Sequence, residues 1–150
     1  WKEIHHAAAV DLVAGLVVMG VMRGAPSSLV EQEAHTLFFP HGIGHLVGLG
    51  VRDASGRAPG RTQDPRPALR TLRMDLPLAV NYVVTVEPGL YFIPPLLNEP
   101  ERRARFRQCV DWALVDEYQH VGGVRIEDNV LVTAGAPDVL TQAIPKALTV

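Results

Sequence analysis

Cysteine is almost missing from this 150-residue chain; Cys109 is the only one. No internal disulfide can form, which excludes a small secreted scaffold held by cross-links and fits a reducing, cytoplasmic setting. A thiol nucleophile at Cys109 finds no support either, because its neighbours are acids, arginines and an indole rather than a histidine base. Charge of one sign is not in excess: 14 Lys and Arg against 16 Asp and Glu give a net charge of −2. Nucleic acid is therefore not an expected partner, since phosphate binding needs a clustered surplus of basic groups. The local basic run Arg102, Arg103, Arg105 and Arg107 is accompanied by Glu99 and Glu101 and fits a solvated helix face. Long hydrophobic runs are lacking as well. Ala7 to Met22 is rich in Ala, Val, Leu and Met, but Asp11, Gly15 and Gly20 interrupt it. It falls short of the roughly 20 residues that cross a bilayer, and its flanks lack the basic region and cleavage pattern of a signal peptide. No membrane partner is expected.

What is present suffices for one sizeable core or part of one, at 47% hydrophobic content. Leu12, Val13, Leu16, Val17 and Met19 recur at helical spacing, predicting a buried helix over Ala7 to Met22 that covers a sheet. Ser28-Leu29-Val30-Glu31 has capping-box spacing and predicts a short helix towards His35. Leu37 to Val51 is expected to be strand and turn, and Arg52 to Pro67, with its Pro and Gly residues, a polar loop. Arg70 to Val80 leads into a strand ending at Glu87, with Leu90 to Ile93 as its antiparallel return. Glu99 to Arg107 and Val110 to Glu117 look helical. No internal repeat or low-complexity segment appears.

The most informative stretch is Phe39-Pro40-His41-Gly42-Ile43-Gly44-His45. Two histidines four apart suit a zinc helix, but a glycine costs a helix interior about 1 kcal/mol, and the glutamate of the helical HExxH pattern is absent. A strand fits better. His41, Ile43 and His45 then share one face, and glycine lets backbone or ligand approach closely. Val83-Val84-Thr85-Val86-Glu87 is a β-branched run ending on an acid, stopped by Pro88-Gly89. Val124-Arg125-Ile126-Glu127-Asp128 follows Gly122-Gly123; in a strand, Arg125, Glu127 and Asn129 share a face. Glu87 and Glu127 are thus acids within apolar strands, where an unpaired charge is costly and a shared cation removes the cost. Singly, each has a plainer account: His45 as a hydrogen-bonded core histidine, Glu87 as a strand end reaching water, Glu127 as a partner of Arg125.

Together these segments resemble a known family. PHGIGHLVGLGVRD, TVEPGLYF and GGVRIEDNVLVT are similar to the three C-terminal motifs of the prolidases and Xaa-Pro aminopeptidases, which share the pita-bread metallopeptidase fold with methionine aminopeptidases. Leu69-Arg70-Thr71-Leu72-Arg73, Tyr91 to Leu97 and the long stretch between Glu87 and Glu127 resemble prolidases more than aminopeptidases. The likeness is strong from about Ala34 to Thr133, weaker over the first helix and faint in the tail. It implies an α+β fold with an antiparallel-rich curved sheet covered by helices. Residues 1–150 are then the C-terminal part of a single catalytic domain, without its N-terminal domain and first metal-binding motif.

The resemblance also implies roles. His45 matches the histidine ligand of a two-metal centre, Glu127 a carboxylate bridging both ions, and Glu87 a ligand that also relays the proton of the attacking water. His41 matches a substrate-contacting and catalytic histidine, while Arg70 and Arg125 match arginines around the substrate and the metal-binding acids. Two divalent ions are implied, manganese first, with cobalt, zinc or iron as alternatives for such oxygen and imidazole donors. The family's two aspartate ligands are expected before Trp1, so the sequence looks like a piece of a longer protein with little activity alone. The resemblance also implies a homodimer for the full-length protein and an Xaa-Pro dipeptide as substrate. Its proline carboxylate needs a guanidinium, for which Arg70 and Arg52 are the candidates.

Two departures stand out. The family motif ends Val-His-Asp, but here it is Val51-Arg52-Asp53. Arg52 either binds a substrate carboxylate, or weakens metal binding and product release, or simply pairs with Asp53 or turns outward. A longer Leu-Pro-Leu-Ala-Val-Asn replaces a Gln-Pro-Gly turn within Asp75 to Tyr82. Two other functions stay in play: an Xaa-Pro aminopeptidase acting on longer peptides, and a non-catalytic binding fragment.

Overall fold

The computed structural model describes residues 1–53 and 56–147; Ala54 and Ser55, inside the predicted Arg52 to Pro67 loop, lie outside the described residues. The chain divides into two compact units. One comprises Trp1–Lys2, Gly42–Pro88 and Ile126–Val150, the other Glu3–His41 and Gly89–Arg125.

In the second unit, α1 (Lys2–Val18) buries His5, Ala9, Val13 and Leu16, a stripe at spacings of four, four and three. It ends four residues earlier than predicted. Gly20 takes a left-handed φ of 79°, which breaks the helix, and Met22 pairs with Val110 in an antiparallel bridge instead. Met19 is left 41% exposed. Helix α2 (Pro26–Glu31) has Ala25 at its N-cap with no side-chain cap bond and Pro26 in its first turn. The capping-box expectation is therefore corrected: Ser28 lies inside the helix, because proline already has the φ its first turn needs and no N–H to satisfy. A short 3₁₀ turn follows over Ala34–Leu37. Phe38 and Phe92 stack edge to face at 5.6 Å in the core.

The first unit is built on β1 (Val83–Val86), which follows α3 (Pro67–Arg70). Strand β2 (Gly89–Tyr91) comes next along the chain but belongs to the second unit, as do α4 (Pro94–Leu97), α5 (Pro100–Arg105), α6 (Trp112–Tyr118) and β3 (Gly123–Arg125). The two predicted helices before Gly122 are thus α5 and α6. The basic run is more than a solvated face: Arg103 donates to the Leu97 carbonyl at 2.9 Å and lies 4.7 Å over the Trp112 ring. Arg105 donates to the Gln32 carbonyl.

Strands β4 (Asp128–Leu131) and β5 (Asp138–Val139) complete the first unit, in the sheet order β1-β4-β5. Strand β1 pairs antiparallel with β4, Val84 facing Val130 and Val86 facing Asp128. Strand β2 pairs with β3. The expected return of Leu90 to Ile93 onto the Glu87 strand is therefore wrong: Pro88 and Gly89 carry the chain into a separate two-stranded sheet. The single strand predicted through Arg125, Glu127 and Asn129 is also broken, between β3 and β4 at Ile126-Glu127. Asn81, at a left-handed φ of 74°, closes the departing turn before β1, a conformation asparagine adopts more readily than most residues.

Candidate metal centre

The segment Ile43 to Val47 runs along the free edge of β1. Glu87 N–H donates to the Ile43 carbonyl at 2.8 Å, Thr85 N–H to the His45 carbonyl at 2.8 Å, and Val47 N–H to the Val83 carbonyl at 2.9 Å. Only Leu46 makes a formal bridge, to Val84, so the predicted strand is a one-sided ladder rather than a regular element. Gly44 is what lets it approach: a Cβ there would lie 1.9 Å from the Thr85 carbonyl oxygen.

This pairing decides which side chains meet. Residues two apart in a strand share a face, so Thr85 and Glu87 project together, with His45 opposite Thr85. On the other edge of β1 the register puts Glu127 one step past the Val86–Asp128 pair, opposite Glu87. Ile126 N–H still reaches the Pro88 carbonyl at 3.3 Å, which carries the register across that step. One ligand atom each from His45, Glu87 and Glu127 then lies within 4.8 Å of the others. His45 and Glu87 are buried, at 5% and 6% exposure. Glu127 is exposed, contrary to the expectation of an acid within an apolar strand, because it sits in the break between β3 and β4.

The hydrogen bonds suit a cation. His45 Nδ1 lies 2.8 Å from the Leu46 carbonyl, which can only accept, so Nδ1 donates and Nε2 is the ring nitrogen turned towards the acids. That is the arrangement by which metal-bound imidazoles are normally held. Nε2 faces Glu87 Oε1 at 3.6 Å, so both atoms can meet one cation. One imidazole and two carboxylates match the donor preferences of manganese, cobalt, iron and zinc, so the residues present fit a divalent ion.

His41 is half-buried in the second unit, its Nε2 3.0 Å from the Tyr91 hydroxyl and its ring edge-on to Phe39 and Tyr91. Arg125 is exposed in β3 of that unit; Arg52 and Arg70 are exposed in the first, Arg70 at the end of α3. Thr85 and Tyr91 were not singled out by the sequence reasoning. Thr85 was findable, since a threonine two before a strand acid shares its face. Tyr91 has no such signal: its ring occupies the space that a Cβ would claim at Gly89 and Gly123.

Residues 1–134 match the metallopeptidase family M24. This chain belongs to that family. A probable Xaa-Pro aminopeptidase of Coccidioides posadasii is 42% identical over 137 residues, covering 89% of this chain and 28% of the relative. An Xaa-Pro dipeptidase of Stenotrophomonas maltophilia is 42% identical over 150 residues, covering 96% and 33%. The structure of Pseudomonas aeruginosa aminopeptidase PepP superimposes with a TM-score of 0.67 at 30% identity, over 98% of this chain and 27% of that one. Zinc-substituted Escherichia coli aminopeptidase P in complex with product gives a TM-score of 0.63 at 29% identity, over 95% and 26%. The M24 chain thus spans about a third or less of the length of these relatives. Its helices and antiparallel sheets are those of part of a pita-bread metallopeptidase domain. Among the described residues, no helix is long and apolar enough to cross a membrane.

Proposed function

We propose that this M24 chain supplies the histidine and two carboxylates of a dinuclear centre that hydrolyses Xaa-Pro dipeptides. The convergence of His45, Glu87 and Glu127 carries the reading. Bound divalent ions, manganese foremost, would supply the Lewis acidity that activates a water and polarises the scissile carbonyl. The chain's own residues do the rest. His45, fixed through Nδ1, and the carboxylates of Glu87 and Glu127 hold the ions. Glu87 is the general base that takes the water proton and returns it to the leaving proline nitrogen, a role suited to a carboxylate already within reach of the site. His41, oriented by the Tyr91 hydroxyl, contacts the substrate. Arg70 or Arg52 meets its carboxylate through a bidentate pair, and Arg125 stands beside the substrate and the metal-binding acids.

The cytoplasm as location and a homodimer as assembly belong to the same proposal, and the 150 residues alone are expected to have little activity. Relatives bearing both dipeptidase and aminopeptidase names support a second reading, in which longer peptides are the substrate. Manganese-loaded protein extended to the length of these relatives would be offered Xaa-Pro and Xaa-Pro-Yaa in parallel. Faster release from the dipeptide supports the first reading, faster release from the tripeptide the second, and no turnover of either removes both.

A further inference from the structure

Thr85 is buried at 3% exposure and stands between two of the proposed ligands. A regular antiparallel pair exchanges two backbone bonds, and here only one is formed, from Thr85 N–H to the His45 carbonyl at 2.8 Å. The reciprocal His45 N–H donates instead to Thr85 Oγ1 at 2.9 Å. The Thr85 carbonyl is pressed against Gly44, in the space a Cβ would occupy, and the hydroxyl takes over its part in the ladder. With a backbone donor fixing its acceptor side, the hydroxyl directs its hydrogen to Glu87 Oε1 at 3.2 Å. One side chain therefore ties the backbone of the histidine to the carboxylate of the glutamate. χ1 of a β-branched residue in a strand is stiff, so the tie is short and rigid.

Resting on the metal-centre reading above, we infer that Thr85 is a positioning residue. It sets the separation of His45 and Glu87 and holds Glu87 Oε1 so that the two donors meet one divalent cation. Thr85→Val keeps the branched shape and removes the hydroxyl; Thr85→Ser keeps the hydroxyl and loses a methyl.

Cobalt(II) titrated into the protein extended to the length of its relatives, followed by visible absorption, tests this. Thr85→Val is expected to weaken binding about 10- to 100-fold, the usual penalty for losing a supporting hydrogen bond at a metal site. Thr85→Ser is expected to stay near the parent value even where its urea midpoint falls. Unchanged cobalt affinity in folded Thr85→Val overturns the inference and leaves the metal reading standing. Absence of binding by the unsubstituted extended protein overturns both. Should the valine variant lose its far-ultraviolet circular dichroism, Thr85→Ala carries the same expectation and the same refutation.

Discussion

His45 Nε2 and Glu87 Oε1 face each other at 3.6 Å, while the other nitrogen of that imidazole is committed to the Leu46 carbonyl. An imidazole held in this way turns Nε2 towards the carboxylate, where a shared metal ion would meet both. That relationship depends on the pairing of Ile43 to Val47 with β1, and the predictions begin there.

Replacing a ligand should do more than loosen the site. His45→Ala and Glu87→Gln are each expected to lower cobalt affinity by more than the roughly 10- to 100-fold attached to losing a supporting hydrogen bond. Isothermal titration of the folded variants checks this; affinity equal to the parent in either one removes that residue from the centre.

Gly44→Ala places a methyl group 1.9 Å from the Thr85 carbonyl oxygen. Backbone must move, so a destabilisation of about 3 kcal/mol is expected, at the upper end of overpacking effects. Urea unfolding measures it. A midpoint like that of the parent would show that the Ile43 to Val47 segment is not held against β1 as described.

Acid should weaken the second unit. Burial, the largest cause, lowers both His5 and His35 from 6.5 to about 4, and among the described residues neither His5 ring nitrogen has a hydrogen-bond partner. Because the folded-state values lie below the unfolded one, the unfolded chain binds protons that the native chain refuses. Their contribution is intact above pH 6.5, declines as pH falls through the window to about 4, and levels off below it. The slope is about 1.4 kcal/mol per pH unit for each histidine. Denaturant midpoints at several pH values should show His5→Phe flattening this decline, and an unaltered slope would contradict it.

Arg103 donates to the Leu97 carbonyl at 2.9 Å and to Asn98 Oδ1 at 3.0 Å while stacking on Trp112. Lysine cannot reproduce that planar fork. Arg103→Lys is expected to cost about 1–2 kcal/mol, read from thermal unfolding. A melting temperature unchanged by the substitution would make the stacking incidental.

Much of the candidate site was legible because it depends on local alternation. Thr85 and Glu87 share a face in any strand, and β-branching from Val83 to Val86 makes that strand. Gly44 beside His45 announced a close approach, which the Thr85 carbonyl makes. Longer-range features were not legible. Nothing in Val124 to Asn129 says that the strand breaks at Ile126-Glu127, or that Leu90 pairs with Val124 rather than turning back on β1. Those outcomes depend on competition between partners distant along the chain.

The amino-acid order alone determined which groups are available: one imidazole, two carboxylates, and the short-range periodicities that aim them. Only the tertiary structure decided that β1 lies between the His45 segment and β4, with Glu87 opposite Glu127 and the Thr85 hydroxyl joining His45 to Glu87. The physical reason is register. A strand fixes its own faces through local geometry, but which residue stands opposite is settled by hydrogen bonds and packing with segments some forty residues away on either side, here the 43–47 and 126–131 stretches.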